Sequence, residues 1–522
     1  MTSADRARLS RRQVLAGLGA GGALIAVGGL AACTRSPSGI TSDGSTANGS
    51  VNSIEFAQPM ELASQNGRLD VTLLAAAATV PYAGGTRWAL TYNGTTPGPT
   101  LRVRPGDVLS VTLENRLDAP TNLHTHGLHV SPEGDSDNVF VMVDPGQRHA
   151  YHYQIPADHP SGTFWYHPHH HGEVARQVFG GMAGAIIVED AIDQLPQLAV
   201  ATSRVLVLSD PNVGDSARVL DVAMMQRMMG REGSAILVNG LPQPRIPARV
   251  GTLEHWRIVN ASPSRYYALR LDGQQLHVVA SDAGRLDAPH AIDELVLVPG
   301  ERAELLIPVT AGTHALTTRT VDRGGMGMAG QGGGGMGGGG MGGGGGRSGA
   351  TAANGERVVI ATLDVTGGAG NAPSLPKVLR ALDDPTSASV THTRDVTLSM
   401  NMGGMGMGGT GGDGQFLIDG RSFDANRVDI TTQIGTTEDW VVRNTSPMDH
   451  PFHLHVWPFR VVERSDGGTL PPGWKDTVNV PAGQSVRLRI PFRDIPGKAV
   501  YHCHILDHED LGMMGIIDTK TP

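Results

Sequence analysis

A chain of 522 residues is long enough for several domains, each with a core of its own. It holds 71 glycines and 33 prolines, and aromatics make up only 4%, which suits many short strands joined by turns and speaks against long helices. The formal net charge of −9 argues against nucleic acid as a partner, which would want a basic face.

In chain order, residues 1–33 read as an address rather than as fold. Ser10-Arg11-Arg12-Gln13-Val14-Leu15 resembles a twin-arginine export motif, and an apolar run follows from Val14 to Leu30. Leu30-Ala31-Ala32-Cys33 then looks like a bacterial lipobox, with Cys33 as the lipidated first residue of the mature protein. The alternative, an uncleaved membrane helix, is weakened by a run that is short and glycine-rich for a stable span. The expected location is therefore the periplasmic side of the cell envelope, with membrane contact only through the signal or a lipid anchor. Residues 34–52 are rich in Ser, Thr and Gly and read as a flexible tether. The chain has only two cysteines, and the lipobox takes Cys33, so Cys503 has no disulfide partner. A lone thiol in an oxidising compartment needs a holder, and a soft metal is the obvious one.

Three segments then repeat a strand-rich texture, at 53–190, 198–366 and 377–522. The first contains Leu101–Arg104 and Val108–Leu113 around the turn Pro105-Gly106-Asp107; the second contains Leu253–Val259, Leu295–Val298 and Leu305–Val309; the third contains Val396–Met400, Trp440–Arg443 and Val486–Ile490. None carries a long 3.6-residue period. The fold class implied is all-β, with three sandwich domains. Residues 324–346, mostly glycine with Met326, Met328, Met336 and Met341, cannot bury enough apolar surface to offset chain entropy, so disorder is expected there. A second methionine patch, Met400-Asn401-Met402-Gly403-Gly404-Met405-Gly406-Met407, opens the third segment. Met224, Met225, Met228 and Met229 are expected to pack within the second domain.

Histidine at i, i+2 occurs at His124/His126, His167/His169, His453/His455 and His502/His504. Alternate residues of a strand face the same side, so each pair can aim two imidazoles at one point. Eight imidazoles exceed what one mononuclear metal uses; zinc, with its usual four ligands, is a weak rival to a cluster of coppers. Cys503 lies between His502 and His504, so its sulfur should face the opposite side, and one strand would serve two different metal centres. His450, Cys503, His508 and Met513 supply two imidazoles, a thiolate and a weak thioether, the ligand set of a blue electron-transfer copper. Within His167-Pro168-His169-His170-His171 a second alternating pair, His169/His171, competes with His167/His169. The aromatic strand Phe164-Trp165-Tyr166 favours the latter and leaves His170 and His171 as bystanders. Met514 competes with Met513, and spacing from Cys503 favours Met513.

Four stretches carry a resemblance to the multicopper oxidases: His124-Thr125-His126-Gly127, Trp165-Tyr166-His167-Pro168-His169, His450-Pro451-Phe452-His453-Leu454-His455, and the run from His502 to Met514. The likeness spans about 53 to 522, and looks nearest to periplasmic cuprous oxidases and bacterial laccases; Phe416–Gly420 and Gly473–Val478 fit the same branch. It implies three cupredoxin-like Greek-key β-sandwich domains and four coppers per chain. His124 and His453 would bind type 2 copper. His126, His167, His169, His455, His502 and His504 would bind the type 3 pair, and His450, Cys503, His508 and Met513 type 1. Two pairs fall in the first domain and two in the third, so the cluster should sit between those domains while the second supplies no ligand.

The activity implied is one-electron oxidation of a donor coupled to reduction of O2 to water. Glu509 and Asp137 are the expected proton carriers, with Asp135 as the rival to Asp137 and Asp476 as a residue that could orient a histidine. Met448 and Met400 match positions where cuprous oxidases place a substrate copper, but Met405 and Ser446 stand where that family has aspartates. Soft thioethers favour Cu(I) as the donor; a phenol or aromatic amine is the alternative, and a third possibility is a metal-free or single-copper cupredoxin protein acting as a structural or electron-transfer partner. A monomer is expected.

Overall fold

The computed structural model describes residues 53–325, 355–368, 370, 373–380, 388–401 and 416–522. The export signal, Cys33 and the tether lie outside the described residues, as do Met326, Met328, Met336, Met341, Met402, Met405 and Met407.

The fold is all-β, in three domains, each built from two sheets packed on a common core. In the first domain a sheet orders Glu61–Ala63, Thr100–Val103, Gly184–Val188, Gly162–His167 and His124–His126; it faces a second sheet of Gly85–Tyr92, Arg68–Tyr82, Val108–Asn115 and Arg148–Gln154. The second domain pairs a six-stranded with a five-stranded sheet, and the third pairs two five-stranded sheets. Every strand candidate from the sequence overlaps a strand, with Arg104, Val298 and Val309 one residue past the strand ends. Gly106 turns the chain between two of them at φ +90°, a backbone that glycine adopts without strain.

An internal repeat sets this topology. In each domain an early strand pairs in parallel with a later one: Arg68 with Val108, Thr202 with Glu254 and His392 with Glu438 are register partners in the three equivalent ladders. Each later strand then pairs antiparallel with the next strand of its sheet. Domains 2 and 3 lock this ladder with the same device. Arg204 Nε donates to Glu254 at 2.5 Å, and Glu254 also accepts from the indole of Trp256 at 3.1 Å. Arg394 likewise donates to Glu438 at 2.6 Å, with Trp440 at 2.9 Å. A glutamate followed two residues later by tryptophan puts both side chains on one strand face, so a carboxylate can be buried with its partners satisfied.

The domains meet through apolar surface. Trp165, Ala183, Ala185 and Ile187 of the first pack on Val205, Val207, Val259 and Ala261 of the second. Two short helices, Val174–Gly180 and Leu506–Asp510, join the first domain to the third through Val174, Ala175, Val178 and Leu506. The methionines of the short helix Met224–Met229 do not pack within the second domain. Met228 is buried in the core of the third domain, Met229 packs against that core, and Met224 and Met225 are exposed. This helix lies on Leu506–Asp510 rather than on its own sheets, so its apolar face serves the neighbouring domain. Among the described residues no helix is long and apolar enough to cross a membrane.

Candidate metal centres

The eight paired histidines converge. His124–His126 and Gly162–His167 are neighbouring antiparallel strands with His124 opposite His167; His450–Leu454 and Gly497–Cys503 are neighbours with His453 opposite His502. Register thus brings each pair beside another, and the junction of the first and third domains joins the two sets. His126 and His453 stack at 3.9 Å between ring centres, and His124 and His455 at 4.0 Å. Three groups have ligand atoms within reach of a single ion: His124/His126/His453, His126/His167/His504 and His169/His455/His502.

The hydrogen bonds divide the two nitrogens of most of these rings into an anchored one and an inward one. Asp137 accepts from His124 Nδ1 at 2.9 Å, Pro168 O from His167 Nδ1 at 2.9 Å, and Asp476 O from His453 Nδ1 at 2.8 Å. Asp476 Oδ1 stands 3.2 Å from His126 Nε2. The opposite nitrogens, His124 Nε2, His126 Nδ1, His167 Nε2 and His453 Nε2, are buried without any protein partner. Both ring nitrogens of His504 are also unpartnered, while the Nε2 atoms of His169 and His455 both close on His502 Nε2, at 3.2 and 3.1 Å. Buried nitrogens are seldom left so, and a convergent set of lone pairs suits metal cations. Burial first, then the charge of neighbouring rings, holds His126, His167, His169, His453, His455 and His502 well below the usual histidine pKa, and His504 is pushed to about 3, chiefly by burial. Burial thus favours the neutral form of these seven rings, the form metal ligation requires.

A second centre lies on the other side of the strand Gly497–Cys503. His450 Nδ1 and His508 Nδ1 stand 3.3 and 3.7 Å from Cys503 Sγ and 3.2 Å from each other. The outer nitrogens are anchored: His450 Nε2 faces the Ser446 hydroxyl at 2.7 Å, and His508 Nε2 faces the backbone oxygen of Met228 at 3.2 Å. Phe416 stacks on His508 with ring centres 3.9 Å apart. Burial pushes the Cys503 thiol pKa well up, so a thiolate here needs a cation beside it; two neutral imidazoles and a buried sulfur fit a soft or borderline metal. Met513 is buried in the same core as Cys503, whereas Met514 packs in a separate cluster with Val139, Val500 and Ile516.

His171 is exposed and packs on Phe423, away from the ring cluster. Asp137 is buried against His124 and Thr125, while the Asp135 side chain is 65% exposed. Glu509 is fully buried, 3.2 Å from His502 Nδ1 and 3.5 Å from His169 Nδ1, without a well-aligned hydrogen bond. Burial, then the charge of Asp510, raises its pKa well above the ordinary carboxyl range. Met448 is buried at the Cys503 centre's core and Met400 packs at its edge. Arg302 (through Asp476), Thr477 and the carbonyl of Met228 reach these sites without a signal in the sequence, since none lies in a histidine motif; Ser446, noted there only as replacing an acid, contacts His450.

Multicopper oxidase family models match residues 75–193, 204–326 and 385–522. The chain belongs to the multicopper oxidase family, copper-dependent oxidoreductases that use O2 and a reducing substrate. It is 28% identical to a multicopper oxidase of Staphylococcus haemolyticus over 438 residues, 82% of this chain and 83% of the relative. It is 30% identical to the cell division protein FtsP of Yersinia pestis over 441 residues, 82% and 84% of the two chains. Among solved structures, a metallo-oxidase of Campylobacter jejuni superposes with a TM-score of 0.75 at 29% identity, covering 90% of this chain and 96% of that one. A laccase of Pediococcus acidilactici gives 0.72 at 26%, covering 89% and 93%.

Proposed function

We infer that the chain is an envelope oxidase that takes electrons from Cu(I) at the Cys503 centre and uses O2 as acceptor at the eight-histidine cluster. His450, Cys503, His508 and Met513 would hold type 1 copper, His124 and His453 type 2, and the remaining six histidines the type 3 pair. Bound there, the four coppers supply stepwise electron transfer from donor to O2. Cys503 is covalently continuous with His502 and His504, so the two centres are only a few bonds apart. Glu509, protonated by its burial, would hold a proton beside His502 and His169, and Asp137 would hold His124 in place from the other side.

The observation that carries the Cu(I) reading is where the methionine-rich stretches join the fold. Gly324, first residue of the glycine–methionine tract, forms a β-bridge with Met448, two residues before His450. Met400, which opens the second patch, pairs with Phe416, the ring stacked on His508. Both stretches are thus tethered at the Cys503 centre, and thioethers prefer Cu(I). Ser446, engaged with His450, and Met405 replace the expected acids, so the donor site is built on sulfur more than on carboxylate. The test is oxygen uptake with Cu(I) and with a phenol at matched copper loading, in the full chain and after deletion of 326–346. Selective loss with Cu(I) supports the reading; equal loss, or none, favours a laccase-like oxidase of phenols and aromatic amines. The likeness to the cell division protein FtsP favours, as the second reading, a structural or electron-transfer role, which predicts a copper content near one or zero per chain.

A further inference from the structure

We propose that Arg302, in the otherwise ligand-free second domain, is a positioning residue for the histidine cluster, acting through Asp476; the proposal rests on the copper reading above. Arg302 is fully buried, and every one of its five side-chain N–H donors is engaged. Nε donates to Thr163 O at 3.3 Å in the first domain. Nη1 donates to Gly300 O at 2.9 Å and Nη2 to Asp282 O at 2.7 Å in its own domain. The remaining two N–H groups form a bidentate pair with Asp476 of the third domain, at 2.8 Å to Oδ1 and 2.6 Å to Oδ2. One guanidinium therefore ties three domains at one point, with a planar fork that a lysine cannot reproduce.

Asp476 makes this more than a clamp, because it sets opposite tautomers on two stacked rings. Its Oδ1 faces His126 Nε2 at 3.2 Å, which directs His126 Nδ1 inward; its backbone oxygen faces His453 Nδ1 at 2.8 Å, which directs His453 Nε2 inward. The Thr477 hydroxyl donates to the same Oδ1 at 2.9 Å and lies 3.2 Å from His453 Nδ1. If Arg302 releases Asp476, the carboxylate can swing and the His126 ring loses the acceptor that orients it. The second domain also walls the site directly, since a Cβ at Gly300 would stand 2.8 Å from the His504 ring. A separate ion pair, Lys475 to Asp282 and Glu301 at 2.9 Å each, already links the second and third domains beside this point, so adhesion alone does not call for Arg302.

The test compares Arg302→Met, Arg302→Lys and Asp476→Asn with the wild type after copper loading. The blue absorption of the Cys503 centre, none of whose proposed ligands is a hydrogen-bond partner of Arg302, reports folding within the same sample. Copper content and the type 2 paramagnetic resonance signal report the cluster. The expected result is retained blue colour, an altered type 2 signal, and a loss of about 10–100-fold in cluster copper affinity or in kcat with donor KM unchanged. Arg302→Lys should fall between wild type and Arg302→Met. Any blue variant with wild-type copper content and type 2 signal overturns the proposal. So does loss of blue colour in all three variants, which would make the residue a structural clamp. A wild type that itself takes up fewer than three coppers would instead sink the copper reading, so the two failures are distinguishable.

Discussion

Replacing Asp137 with asparagine isolates one carboxylate behind one imidazole. Asp137 Oδ1 accepts from Thr125 N at 2.8 Å and from the Thr125 hydroxyl at 3.0 Å, while Oδ2 accepts from His124 Nδ1 at 2.9 Å. An asparagine oxygen at the Oδ1 position keeps both threonine bonds, but its NH2 group then stands against the Nδ1–H of His124. Either the ring turns away or its proton moves to Nε2, the inward nitrogen that has no protein partner. Flipping the amide instead sets NH2 against two threonine donors. Leaving a buried donor unpaired costs about 1–3 kcal/mol, and with about 1.4 kcal/mol per tenfold copper affinity at the His124 position should fall by about 10–100-fold. The assay is copper titration of the apoprotein, followed by the type 2 resonance signal. Asp135→Asn is the control, expected to behave as wild type because that side chain is exposed. Equal titration curves for wild type and Asp137→Asn would refute the reasoning.

Cys503→Ser should abolish the blue absorption and lower copper content by about one per chain, with oxidation of every donor lost; the check is copper analysis beside oxygen uptake. Glu509→Gln should lower kcat by about 10²–10⁴-fold, the range for a lost proton carrier, with donor KM and copper content unchanged, as steady-state kinetics would show. Burial would raise the pKa of Glu304, but Arg257 and Arg285 beside it overcome this and hold it well below the carboxyl range. Its contribution to stability is therefore full above the unfolded value of about 4.3 and is lost as pH falls through the depressed folded value. The Tm of the apoprotein should drop on acidification below that point, and Glu304→Gln should be less stable at neutral pH yet less sensitive to acid.

The histidine pairs were legible because extended-chain alternation is local and needs no tertiary knowledge, although only His124/His126 lies wholly within a strand and His169, His455 and His504 fall just past strand ends. The strands around Leu253–Val259 or Val486–Ile490 were legible for the same reason. Asp137 was preferred to Asp135 by resemblance alone; the physical difference between them, one buried against His124 and the other exposed, comes from the turn between them. The Asp476–Arg302 pair was out of reach, because it joins residues 174 positions apart and only the docking of two domains brings them together. The methionine run at 224–229 misled for a related reason. Its residues are apolar enough for any core, and the sequence does not say whose core receives them.

The second domain holds none of the proposed copper ligands, yet it reaches both centres by the same means. At the Cys503 centre the carbonyl of Met228 occupies the outer nitrogen of His508; at the cluster Arg302 fixes the carboxylate that faces the outer nitrogen of His126. In each case the proton is held on the side away from the ligand atom, so the inward nitrogen presents its lone pair. Imidazole offers this choice because its two nitrogens are distinct, and the one that hydrogen-bonds decides the one that ligates. A domain that supplies hydrogen-bond acceptors rather than ligands can therefore govern the readiness of both centres, and its docking ties the geometry of the Cys503 centre and of the histidine cluster to a single interface. Loosening that interface should disturb the His508 and His126 rings together, which separate hinges on the first and third domains would not do.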